Sequence, residues 1–85
     1  MQEMKEELHN FLRDLFILVQ DKYNESLSEE LKLGAEADVA YHQGAILAYY
    51  DVLALIRSQV LAFGYSNASS EFKVPELGKP ANGAA

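Results

Sequence analysis

Cysteine is absent from the 85 residues, which excludes a disulfide framework, a thiolate metal site and a cysteine nucleophile, and fits a reducing compartment. Positive charge is scarce: 7 Lys and Arg stand against 13 Asp and Glu, a formal charge of -6. A basic face able to neutralise a phosphate backbone has little to be built from, so no nucleic-acid partner is expected. The two prolines, Pro75 and Pro80, both lie near the C-terminus, so no proline interrupts a helix before them. There is no glycine-rich phosphate loop, no Gly-x-Ser-x-Gly elbow and no His-Glu-x-x-His, and no internal repeat. The start of the chain sets Glu3, Glu6 and Glu7 against a single Lys5, the reverse of a basic secretory leader. Long apolar runs are also missing. The best membrane candidate, Ala45 to Phe63, is interrupted by Asp51, Arg57, Ser58 and Gln59, and the uncharged stretch Val39 to Tyr50 covers twelve residues, short of the roughly 20 a bilayer requires. A cytoplasmic protein without a membrane partner is the expectation.

What is present is helical periodicity. With 49% apolar and 24% charged residues, the chain has the composition of one small globular domain. Met1, Met4, Leu8, Phe11, Leu15 and Leu18 alternate at three and four, with Leu12 and Val19 on one flank and Phe16 on the other, predicting a first amphipathic helix over about 2–24. Asn24 to Leu33, followed by Gly34, reads as a connection, and Ser26 and Glu29 have the spacing of a capping box, which leaves the second helix two starting points, near Ser26 or near Ala35. Val39, His42, Ile46, Tyr49, Leu53, Ile56, Val60 and Phe63 then hold the same alternation and predict a second helix over about 35–63. Gly64 is placed to close it in a left-handed conformation. Residues 65–85, rich in Ser, Gly, Pro and Ala, read as a flexible tail, with Phe72, Val74 and Leu77 as the residues able to dock back.

The predicted fold is therefore all-α: an antiparallel two-helix hairpin over residues 1–64. The second helix carries more apolar surface than one partner helix covers, since Tyr41, Ala48, Leu55 and Ala62 form a row away from the seam. Each exposed large apolar side chain forgoes about 1.5–3 kcal/mol of burial. A two-fold pairing of hairpins into a homodimeric four-helix bundle buries the excess. The expected interface residues are Leu15, Leu18, Val39, Ile46, Tyr49, Leu53, Ile56 and Val60. Ala40, Gly44 and Ala48 form a small-residue row able to accept Phe11 or Phe16.

Chemistry-bearing groups are few. Glu6 and His9 have the i, i+3 spacing of a di-iron ligand pair, but with Leu8 and Phe11 facing inward they project to solvent, and no second pair completes a site. No metal, no other cofactor and no catalysis are expected. Asp38 and His42 sit one helical turn apart, and with Tyr41 and Tyr49 they are the best candidates to line a ligand site. A histidine on an apolar seam also serves to fix bundle register. Asn67-Ala68-Ser69 matches a glycosylation triplet, which is silent without export. Three function classes follow: a noncatalytic, self-associating interaction or regulatory module; a small-molecule binding protein or enzyme at the Asp38 group; and an acidic mimic or antagonist of a nucleic-acid-binding protein, presenting Glu3, Glu6, Glu7, Asp14 and Asp21 as a surface. The first is the leading expectation, with another protein as a further partner.

Overall fold

In the computed structural model the described residues are 5–32, 36–65 and 71–81, and of residues 31, 32 and 36–38 the backbone alone. Two helices, α1 (Glu6–Lys32) and α2 (Glu36–Ala62), pack against each other as a hairpin, and no strand occurs among the described residues. The fold is all-α. α1 opens with Lys5 as the residue before the first turn, its carbonyl accepting from His9 N at 2.8 Å. Glu6 and Glu7 lie in that turn, where negative charge offsets the exposed amide dipoles.

α1 runs eight residues past its expected end. No glycine or proline occurs between Asn24 and Lys32, and the polar residues there cost a helix only about 0.5 kcal/mol each. Ser26 caps nothing; it is buried inside the helix. The turn between the helices, with Gly34, lies outside the described residues. α2 ends one residue before its expected limit. Gly64 has φ 75°, its amide donates to the Leu61 carbonyl at 2.9 Å, and the Tyr65 amide donates to the Val60 carbonyl at 3.3 Å. These two bonds are the Schellman pattern, which a glycine at this position permits.

The α2 seam faces inward as its spacing predicts, with Ile46, Leu53 and Val60 buried. The α1 stripe is turned by one residue. Phe16 and Tyr23 are buried, Leu12, Val19 and Leu27 pack beside them, and Leu8, Phe11, Leu15 and Leu18 are exposed. The reason is the length of each row. The row Leu12, Phe16, Val19, Tyr23, Leu27 is apolar along the whole helix, whereas the row through Leu8 and Leu18 continues into Lys22, Glu25 and Glu29. Burying the first row wins because the second would carry three charges into the seam.

Residues 71–81 are a third structural element. They run along α1 from its N-terminal half towards its C-terminal end and cover one face of the hairpin as a strap. Phe72 is 0% exposed and meets Phe16 edge to face, with ring centroids 5.2 Å apart and planes at 82°. The Tyr23 hydroxyl accepts from the Gly78 amide at 3.0 Å and lies 2.7 Å from the Lys79 carbonyl and 3.2 Å from the Glu76 carbonyl, to which its single proton is offered. The Asn24 side chain grips the Ala81 backbone at both ends, Oδ1 accepting at 2.7 Å and Nδ2 donating at 3.2 Å. Gly78, at φ 90°, is the third residue of a turn closed by the Lys79 amide on the Glu76 carbonyl at 2.9 Å.

Of the tail residues read as able to dock back, Phe72 is buried in the core and Val74 packs against it, while Leu77 is exposed. Side chains of α1 satisfy the strap's backbone, and a single aromatic knob anchors it, so no periodic pattern announces it. Tyr23→Phe leaves the Gly78 amide and the Lys79 carbonyl without their shared partner. We expect it to lower the unfolding free energy by about 1–3 kcal/mol in urea titrations.

Candidate functional site

The strap divides the hairpin into two unlike faces. On its own side, His9 meets Glu71, and Phe16, Tyr23 and Asn24 are engaged as described. Further along, Leu77, Gly78 and Pro80 close over Leu27, Glu30, Gln43, Ile46 and Leu47 around a groove of about 390 Å³. His9, read from the sequence as solvent-facing, is instead half-buried against the strap. The displaced α1 register explains this, because the inward turn of the Phe16 row brings His9 to the strap edge.

The opposite face has no cover among the described residues. Phe11 is 62% and Leu18 61% exposed on α1, with Leu8 and Leu15 beside them; Leu55 is 65% exposed on α2, with Val52 and Phe63 near it. Because the helices are antiparallel, the first half of α1 lies beside the second half of α2, so these residues gather at the open end of the hairpin. Between them runs a groove of about 430 Å³ lined by Leu8, Leu12, Leu55, Ile56, Gln59, Val60, Phe63 and Tyr65. Gln59 and the Tyr65 hydroxyl are its polar groups. Phe63 and Tyr65 stack at 6.5 Å with planes 26° apart and form one wall.

Of the eight residues expected at a dimer interface, Ile46, Leu53 and Val60 are taken up by the core of a single chain. Their burial needs no second copy. Tyr49 and Ile56 are half-buried against that core, and Val39 is half-buried. Leu15 and Leu18 are left exposed. The small-residue row is also placed differently: Phe16 is engaged by Phe72, and a Cβ added at Gly44 meets nothing within 4 Å. Ala40, Gly44 and Ala48 are exposed to solvent.

Of the expected ligand group Asp38, Tyr41, His42 and Tyr49, the last three side chains are described. Tyr41 is 71% exposed and points away from the seam, touching His42 only edge to face at 5.1 Å. Tyr49 packs into the core. The Asp38 side chain lies outside the described residues. His42 Nδ1 is buried and has no hydrogen-bond partner among the described residues, and Tyr41, His42 and Tyr49 line neither of the two grooves described above. No group of three or more metal-ligating side chains gathers among the described residues.

The second helix also carries the most apolar stretch. Val39–Ala62 is long and apolar enough to cross a bilayer, with a mean hydropathy of 1.4, and 17% of its most apolar window is buried. Asp51 and Arg57 interrupt it. Compared with known proteins, the chain matches no family model, no curated protein and no solved structure at a significant level.

Proposed function

We propose that the chain is a noncatalytic interaction module that acts as a homodimer, two hairpins pairing through the face opposite the strap into a four-helix bundle in the cytoplasm. One observation carries the reading: the exposed Leu8 of α1 and the exposed Leu55 and Phe63 of α2 line one apolar groove, and Phe11, Leu15, Leu18 and Val52 on the same two helices are exposed as well. Patches of this kind mark interaction sites. A second copy fits it for three reasons. The surface is drawn from both helices of the hairpin, so a two-fold axis through it sets four helices around one core. Its groove has no charged lining residue, Gln59 and Tyr65 being its polar members, so apposing two copies sets no like charges against each other there. The molecule measures 48 × 20 × 18 Å, so its broad face has room for the roughly 800 Å² per partner that stable interfaces bury.

Lipid is the competing cover for an apolar helix. Against it stand Asp51 and Arg57 near the middle of the α2 stretch and the commitment of Ile46, Leu53 and Val60 to the chain's own core. Sedimentation equilibrium separates the possibilities. Wild type is expected as a dimer. Leu18→Asp and Leu55→Asp, which alter residues exposed in the single chain, are expected as folded monomers, because pairing would bury an unpaired charge. Leu77→Asp, on the strap side, is expected to remain a dimer. A monomeric wild type refutes the reading, and co-flotation of the wild type with neutral phospholipid vesicles would replace it by membrane association.

A further inference from the structure

The strap is recognised as an external peptide would be. Its anchors are one aromatic side chain in a socket and a set of backbone groups read by Tyr23 and Asn24, two adjacent residues of α1. None of these contacts belongs to the hydrogen-bond ladder of either helix. The geometry is indifferent to whether the segment arrives from its own chain or from another. Its departure would uncover Phe16 and Tyr23, which are 1% and 0% exposed with the strap in place, and this favours prompt reoccupation by the same pattern.

We propose that this face of α1 is a docking site for an extended peptide that sets a phenylalanine six residues before a glycine turn and a small residue three beyond it, as in Phe72, Gly78 and Ala81, and that its second occupant is the strap of another copy of the chain. Exchange of an identical element between protomers adds no new interface type and requires only that the element open while the hairpin persists. Covalent attachment through residues 66–70 gives the resident strap a high effective concentration, so it wins in the dilute intact protein and yields when its anchor is weakened. This exchange is independent of pairing through the opposite face: Leu18→Asp removes the dimer proposed above and leaves the strap site untouched.

The probe is a fluorescent synthetic peptide with the sequence of residues 71–81, titrated by anisotropy into the full-length chain carrying Leu18→Asp, with and without Phe72→Ala. The chain with the weakened strap is expected to bind the peptide about tenfold more tightly than the chain with the intact one. A further Asn24→Ala is expected to reduce that binding, and a peptide lacking the phenyl ring is expected not to bind. Equal binding with and without Phe72→Ala overturns the proposal, as does loss of helical circular dichroism in the Phe72→Ala chain, since the strap would then be inseparable from the hairpin. Hydrogen exchange of the unmutated protein supplies a second reading. The Gly78 and Ala81 amides are expected to exchange about a hundredfold faster than the Leu53 amide through separate opening of the strap, and exchange at a common rate contradicts it.

Discussion

Leu53→Ala is expected to remove about 2–5 kcal/mol of stability, while Leu55→Ala, two residues along the same helix, is expected to change the stability of the single chain by less than about 0.5 kcal/mol. Both substitutions delete the same atoms. Leu53 is fully buried between the helices, so its truncation loses transfer free energy and leaves a cavity that the close-packed neighbours Phe16 and Ile46 fill only in part. Leu55 lies about 160° away around α2, at 100° per residue, and stands mostly in solvent. A domain of this length holds roughly 4–13 kcal/mol in total, so the first change consumes a large share of it. Urea titrations on the monomeric Leu18→Asp background isolate the effect from assembly. Equal losses at the two positions would mean that α2 is oriented otherwise.

The second large effect concerns α1, where the structure and the simplest reading of the periodicity disagree. Phe16→Ala is expected to cost about 3–5 kcal/mol, because its ring is buried against α2 on one side and the Phe72 edge on the other. Phe11→Ala is expected to cost less than about 0.5 kcal/mol in the single chain and to weaken the dimer instead. Had the row Leu8, Phe11, Leu15, Leu18 been the true seam, the order of the two phenylalanines would be reversed. Near-equal values would place the hairpin between the two registers.

These contrasts show what was legible in the sequence. The class of fold follows from two runs of three-four spacing, and on α2 the middle of the row, Ile46, Leu53 and Val60, is buried as its spacing predicts, whereas its last member, Phe63, is exposed. On α1 two apolar rows lie side by side over the first half. Only the second half decides between them, where one row continues in Tyr23 and Leu27 and the other in Lys22 and Glu25. Treating Asn24 to Leu33 as a connection removed that deciding stretch from view. Ser26 and Glu29 do have capping spacing, but the hydroxyl of a serine within a helix is also tolerated, and spacing alone does not separate the cases.

The strap was the least visible element. Phe72 and Val74 alternate, and Gly78 two residues before Pro80 is a turn signal, yet an isolated segment held by side chain to backbone bonds has no pattern of its own. Its partners, Tyr23 and Asn24, are adjacent on α1 and carry no signature that distinguishes them from surface residues. Asp38 and His42 share a helix face at one turn's spacing, but a helix sends positions 41 and 42 about 100° apart. Tyr41 therefore faces outward, while His42 and Tyr49 follow the seam.

The central claim is that the hairpin has one face closed by its own strap and another that a second copy closes. Its most direct test uses the absence of native cysteine: a nitroxide is attached at Ala48→Cys, at the exposed edge of the open face, and the labelled chain is mixed with unmodified, nitrogen-15-labelled protein. Broadening confined to the amides of Leu8 to Leu18 and Val52 to Phe63 of the unmodified copy is the predicted result. Broadening centred on Phe72 to Ala81, or none at any concentration, would contradict it.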